Sequence, residues 1–127
     1  MSGIFKNTPI LKSLNLSFIW CNLLTDEGFK TLCQGLKKVG QLQDLTLRFE
    51  SCEFIKDRSM VNFSETLGQL LSLKNLHLNF KRYKDLRETF YLILFRCDYL
   101  TNDGFINLNL GLRKLSKLEV LHLDFGW

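Results

Sequence analysis

The sequence contains no alanine, a single proline and no residue pattern typical of an enzyme. Its 127 residues include 27 leucines and 11 phenylalanines. Without alanine, only glycine, serine, threonine and cysteine are small enough for close packing, so the helices must pack on bulky side chains. No glycine-rich phosphate loop, zinc-binding HExxH or GxSxG nucleophile motif is present. We therefore expect no enzymatic activity, catalytic residue, cofactor or small-molecule substrate.

The chain also lacks paired cysteines, a long apolar run and a strong charge. Its four cysteines form no CxxC pair and follow no metal-ligand spacing. No apolar run approaches the roughly 18 residues of a membrane span, and the N-terminus has no secretory h-region. A net charge of +4 is too mild to predict nucleic-acid binding. We expect an intracellular protein, cytoplasmic rather than mitochondrial, with no membrane span and no nucleic-acid partner.

The sequence contains one pattern of apolar residues that recurs several times. Leu14, Leu16 and Phe18 recur 31 residues later as Leu45, Leu47 and Phe49, and again 31 residues after that. A fixed period of this size indicates a repeat architecture. The expected organisation is a single domain over residues 1–127, with repeats at about 11–41, 42–72 and 73–117 and a partial repeat at 118–127.

Each repeat reads as a strand followed by a helix. LKSLNLSF alternates apolar and polar residues, which predicts a half-buried strand. After it, Thr25 or Asp26 is a candidate N-cap, and Phe29, Leu32 and later apolar residues have helical spacing. Gly40 is a candidate helix end. Helices are predicted near residues 26–39, 57–71 and 102–116, in an α/β fold.

The pattern resembles the leucine-rich repeat. The fingerprint LxxLxL occurs four times, at Leu11-Leu14-Leu16, Leu42-Leu45-Leu47, Leu73-Leu76-Leu78 and Leu118-Leu121-Leu123. The turns TDEGF and TNDGF resemble the ribonuclease-inhibitor-like class, with 31-residue repeats similar to arrays common in ciliate proteins. This resemblance implies a right-handed solenoid with a parallel sheet on the concave side and helices on the convex side. It also implies a surface that binds proteins.

In one respect the chain departs from the family pattern. Cys21, Cys52 and Cys97 share one repeat position, which in this class holds a buried Asn or Cys, but they come later than the family places it. Phe18 and Phe49 extend the strand first, so each strand is predicted to be one pleat longer. Cys33 lies near the helix stripe and is expected to be a small buried residue.

About 14 extra residues interrupt the third repeat near 81–95. Two interpretations are open: an excursion from the repeat, or an additional strand from about 91 to 96, with a helix as the weaker alternative. An exposed apolar strand could add to a partner's sheet. The candidate protein-binding residues of this insertion are Tyr83, Phe90, Leu92 and Leu94.

The outward residues of the predicted strands form a second candidate surface. Strands about 4.8 Å apart would stack these side chains into ladders. The candidate protein-binding residues on this concave face are Asn15, Ser17, Asp44, Thr46, Arg48, Glu50, Asn75, His77, Asn79, His122 and Asp124.

We expect no bound metal and no nucleic acid, but two weaker hypotheses concern metal and anion binding. His77 and His122 share one repeat position, and with Asp124 they could hold Zn²⁺, unless the insertion separates them. Lys37-Lys38 and Arg113-Lys114 could bind phosphate or RNA, although cations near helix C-termini also stabilise the helix itself by about 0.3–1 kcal/mol.

The function predicted from these features is non-catalytic protein–protein interaction. The chain would be an accessory or scaffold subunit of a larger assembly, because apolar edges at Leu14 and Leu16 and at Leu121 and Leu123 are expected to need cover by protein partners. The alternative is a self-sufficient regulatory or inhibitory adaptor that binds a protein through its concave face.

Overall fold

Strands and helices alternate along the chain. A computed structural model describes residues 10–81 and 100–125. Its elements are β1 (Ser13–Ser17), α1 (Asp26–Leu36), β2 (Asp44–Arg48), α2 (Asp57–Leu67), β3 (Asn75–Asn79), α3 (Asn102–Leu112) and β4 (Val120–Asp124). The four strands form one parallel sheet in the order β1-β2-β3-β4. The α/β class and the parallel sheet are thereby confirmed.

The register of the sheet follows the sequence period. Ser13 pairs with Asp44, and Asp44 pairs with Asn75, each 31 residues further along the chain. Asn75 pairs with Val120, 45 residues on, because the predicted insertion falls in this interval. Since β3 pairs directly with β4, no additional strand separates them in the sheet.

Of the three helices in the described ranges, two begin at a threonine cap. The Thr25 hydroxyl accepts a hydrogen bond from the Gly28 amide at 3.3 Å, and the Thr101 hydroxyl accepts one from the Asp103 amide at 3.2 Å. A side-chain oxygen at this position satisfies an amide that has no partner within the helix. Of the two predicted caps for α1, Thr25 is therefore the one used.

The predicted helix ends were three to four residues too late. α1 ends at Leu36, and its last turn is tightened by bonds from the Lys38 amide to the Gly35 carbonyl and from the Val39 amide to the Leu36 carbonyl, both at 3.1 Å. Val39 is fully buried, so the apolar pattern continues past the helix into this turn. Gly40 does not close the helix in a left-handed conformation, because no glycine in the described ranges has positive φ.

The core lies between the sheet and the helices. Leu45, Leu47, Leu76 and Leu78, the inward residues of β2 and β3, are at most 1% exposed. The helices contribute the other side of the core, with Phe29, Leu32, Leu36, Met60, Phe63 and Leu67 all fully buried. Alternation in the strands and the 3.6-residue period of the helices produce this single apolar layer.

A ladder of four phenylalanines follows the inward side just beyond the strand ends. Phe18, Phe49, Phe80 and Phe125 stack in sequence, with ring centroids 5.3–5.4 Å apart. Phe29 of α1 packs against Phe49 at 5.2 Å. Aromatic pairs at such distances add to the stability that burial alone provides.

Candidate protein-binding surfaces

The outward residues of the four strands form a polar face. Register pairing places them in three rows: Ser13, Asp44, Asn75 and Val120; Asn15, Thr46, His77 and His122; Ser17, Arg48, Asn79 and Asp124. None of these twelve side chains is buried. The structure thus brings together the predicted concave-face residues that lie in strands. It adds Ser13 and also Val120, which sequence reasoning omitted because it breaks the polar pattern.

Hydrogen bonds and ring contacts connect neighbouring strands across the polar face. The Asn75 side-chain amide donates to the Asp44 carboxylate. The rings of His77 and His122 lie 4.2 Å apart at 32°. These contacts restrict the side chains of the polar face, and side chains that are already ordered lose less entropy in a binding event.

The environment of His77 disfavours its charged form. Partial burial, the His122 ring and the Arg48 guanidinium lower the pKa of His77 below its ordinary value of 6.5, and Asp124 opposes this shift. Loss of solvation and nearby positive charge both penalise an imidazolium. His77 is therefore mainly neutral at physiological pH and can both donate and accept a hydrogen bond.

Glu50 is not on the accessible surface where the sequence placed it. It follows β2 and is only 6% exposed. One of its carboxylate oxygens accepts from the Asn79 side-chain amide at 2.9 Å, and the Asn79 side-chain oxygen accepts from the Lys81 backbone amide at 2.8 Å. Glu50 thus connects the ends of β2 and β3 rather than facing solvent.

The weaker hypothesis of a three-residue zinc site is wrong for the described part of the chain. His77 and His122 are adjacent, but in residues 10–81 and 100–125 no three His, Cys, Asp or Glu side chains are placed to hold a metal ion. Two imidazoles alone fall short of the three or four protein ligands that zinc sites use.

An apolar surface is exposed at β4 and α3, the last strand and helix that the structure describes. Leu121 is 43% exposed and Leu123 is 38% exposed, whereas the corresponding leucines of β2 and β3 are at most 1% exposed. Phe105 of α3 is 41% exposed, although its counterparts in α1 and α2 are fully buried. We call Phe105, Leu121 and Leu123 the apolar end.

The apolar residues at the opposite edge of the sheet, in β1, are less exposed. Leu14 and Leu16 of β1 are half-buried, so the expectation that both edges face water holds fully only at β4. α1 presents exposed polar residues such as Glu27, Lys30 and Gln34.

A second exposed apolar group lies in the turns between strands and helices. Trp20 is 50% exposed, Leu23 95% and Phe54 44%. Trp20 and Ser51 occupy the same repeat position, and both have left-handed backbone, with φ of 57° and 55°. Sequence reasoning missed these side chains because they follow neither the strand period nor the helix period.

The described cysteines are suited to packing rather than to reactivity. Burial raises the pKa of the Cys33 thiol and of the Cys52 thiol to about 11. A thiol with so high a pKa provides little of the nucleophilic thiolate at neutral pH. Cys21 is half-buried, and all three are free thiols.

The basic pairs lie at helix ends, as predicted. Lys37 is the C-cap of α1, with its amine 3.9 Å from the Glu65 carboxylate, and the stem of Lys114 packs over Gly68. These placements suit stabilisation of helix C-termini.

Some predictions fall outside the described ranges. They are Tyr83, Phe90, Leu92 and Leu94 of the insertion, and Cys97. Within the described ranges, no helix has the length and hydrophobicity needed to cross a lipid bilayer.

Comparison with known proteins adds no identification. No protein-family model matches the chain, and neither the curated proteins nor the solved structures include a significant match.

Proposed function

We propose that this chain is a leucine-rich repeat protein of the ribonuclease-inhibitor-like class and acts as a non-catalytic protein-binding module. In this proposal the sheet lines the concave side of a right-handed solenoid, and the chain is an accessory or scaffold subunit of a larger assembly. Four LxxLxL fingerprints aligned in one parallel register support the family assignment.

The proposed protein-binding role of the chain rests on the exposed residues of the apolar end. Burying a leucine or phenylalanine that is now about 40% exposed would gain part of the roughly 1.5–3 kcal/mol that full burial provides. Large contiguous apolar surfaces on a protein commonly mark interaction sites. A partner that covers Phe105, Leu121 and Leu123 would restore the packing that the other repeats have.

The polar face supports a second candidate, the regulatory or inhibitory adaptor. Arg48 and His122 are exposed, and Asp124 and His77 are partly exposed beside them. Charges of both signs on a stiff sheet suit specific recognition of a protein surface with complementary charges.

Quantitative co-purification of the tagged chain from native extract separates these functions. One variant carries Leu121→Lys and Leu123→Lys, and a second carries Asp44→Lys and Arg48→Glu. The scaffold function predicts that a stoichiometric partner is lost with the first variant and retained with the second, and the adaptor function predicts the reverse. Equal recovery with the wild type and both variants would overturn both functions.

A further inference from the structure

We propose that the β4–α3 end of this chain binds the β1–α1 end of a second copy, in a head-to-tail contact. The inference rests on the proposed function and names the partner of the apolar end. It follows from contacts that recur between every pair of neighbouring strands.

The first recurring contact is at the start of each strand. One carbonyl accepts two amides of the next strand, at 2.8 Å and 3.0 Å in every case. The accepting carbonyls are those of Lys12, Gln43 and Lys74. The donating amides are those of Gln43 and Asp44, Lys74 and Asn75, and Glu119 and Val120.

The second recurring contact is just beyond each strand. A phenylalanine amide donates to the last carbonyl of the next strand at 2.7–2.8 Å. The donors are Phe18, Phe49 and Phe80, and the acceptors are Arg48, Asn79 and Asp124.

The two outer edges of the sheet carry complementary halves of this set. At the outer edge of β4, the Glu119 carbonyl is in the accepting position and the Phe125 amide is in the donating position. At the outer edge of β1, the Lys12 and Ser13 amides correspond to the donors for that carbonyl, and the Ser17 carbonyl corresponds to the acceptor for that amide. In the part of the chain that the structure describes, no strand pairs with either edge. Such edges pair readily with another chain.

The side chains are complementary in the same register. A second copy seated on β4 would place its Leu14 and Leu16 beside Leu121 and Leu123, which are the exposed leucines of the apolar end. Phe18 of that copy would follow Phe125, both being partly buried, and would extend the phenylalanine ladder at its spacing of 5.3–5.4 Å.

The N-termini of the helices also contact each other between neighbouring repeats in a way that a second copy could continue. Thr101 donates through its amide and hydroxyl to the Asp57 carboxylate, and Gly104 approaches that carboxylate so closely that a Cβ would collide with it. α1 has the same TxxG sequence, with Thr25 exposed and Gly28 partly exposed. The atoms nearest a Cβ at Gly28 belong to its own neighbours Leu24 and Thr25.

In α3, Asn102 occupies the position that Asp57 occupies in α2, and it is exposed. Its side-chain oxygen can accept from Thr25 of a second copy as Asp57 accepts from Thr101. Gly35, the counterpart of Gly111, is already buried. The helix contact with a second copy therefore involves Thr25 and Gly28 of α1.

A contact between two different ends does not close at a dimer. Each added copy leaves one β4 edge and one β1 edge available, which produces an open array. The polar face would then continue from copy to copy along the array.

Sedimentation velocity of the full chain over a range of concentrations tests the proposal. The wild type is expected to increase in mass with concentration, beyond that of a dimer. Leu123→Glu should weaken association by at least about tenfold, which corresponds to about 1.4 kcal/mol, because it places a carboxylate in the apolar contact. The matched control is Leu71→Glu, which alters a leucine that is more exposed than Leu123 (53% against 38%) and lies away from both edges, and it should leave association unchanged.

A mixing experiment tests the head-to-tail geometry. Ser13→Pro removes an amide that points away from β2, so it blocks only the β1 edge. Proline is tolerated at the first residue of an edge strand. Circular dichroism checks folding, and if Ser13→Pro is unfolded, Gly28→Arg blocks the same end instead. At the lowest concentration where the wild type assembles, each variant alone should be monomeric, but an equimolar mixture of Ser13→Pro and Leu123→Glu should form a 1:1 dimer.

Three results would refute head-to-tail assembly: a monomeric wild type at every concentration, association that Leu123→Glu leaves intact, or a mixture that stays monomeric. A monomeric wild type that still loses its co-purified partner on Leu121→Lys and Leu123→Lys would refute self-association alone. The proposed function would then stand with a different protein at the apolar end.

Discussion

Replacing Phe49 with alanine should remove a large share of the stability of the domain. Phe49 is 2% exposed, lies between Phe18 and Phe80 at 5.4 Å from each, and touches Phe29 at 5.2 Å. Truncation of a buried phenylalanine costs about 3–5 kcal/mol, because the cavity closes only in part. A domain has only about 5–15 kcal/mol of stability in total.

Urea unfolding followed by circular dichroism measures this loss. With a slope of about 2 kcal/mol per molar, a loss of about 4 kcal/mol lowers the midpoint by about 2 M. Phe54→Ala is the matched control, because Phe54 is 44% exposed and its truncation should cost below about 1 kcal/mol. Equal midpoints for Phe49→Ala and Phe54→Ala would refute the view that the phenylalanine ladder stabilises the stacked repeats.

Three further predictions concern helix packing, thiol chemistry and pH. Gly111→Ala should destabilise by about 1–3 kcal/mol in urea unfolding, because the new Cβ would lie 2.7 Å from the Ser64 Cα. Cys33 should react slowly with iodoacetamide at pH 8 by mass spectrometry, because burial raises the pKa of its thiol to about 11. His77 should titrate below pH 6.5 by NMR, and His122→Ala should raise the pKa of His77. Because the folded chain binds this proton more weakly than the unfolded chain, the contribution of His77 to stability is complete above about pH 6.5 and falls as the pH drops below it.

Each of these three predictions has a control in a second residue or variant of the same chain. Gly28→Ala meets only the movable end of the Leu24 side chain at 3.1 Å, so stability should change little or rise by up to about 1 kcal/mol. If Gly111→Ala were equally harmless, α2 and α3 would not pack as closely as described. Cys21, which is half-buried, should react faster than Cys33, and equal rates would contradict the burial argument. An unchanged pKa of His77 in His122→Ala would show that the two rings do not interact.

The strands were predictable because their alternation is strict and repeated. Leu14, Leu45 and Leu76 mark one inward position in three strands, and a slip of one residue in any of them would expose the whole apolar set. The same repetition predicted which outward residues share a row, including the adjacent His77 and His122.

The helix ends were not predictable from apolar spacing alone. Val39 and its counterparts Leu70 and Leu115 are buried like helix residues, but they belong to a turn whose bonds span three residues. Sequence periodicity records burial, and burial continues beyond the last helical turn.

The site was only partly predictable for a related reason. Glu50 follows the parity of an outward residue, yet the chain turns after Arg48 and buries it against Asn79. The exposed turn residues Trp20 and Leu23 belong to no periodic segment, so no pattern in the sequence indicated them.

Hydrogen–deuterium exchange tests most directly the claim that the β4–α3 end is a binding surface. The chain is compared at a dilution where it is free and at a concentration where it is assembled. We expect added protection in peptides from 101–125, accompanied under self-assembly by peptides from 12–28, with α2 unchanged. Assembly without added protection in 101–125 would contradict it.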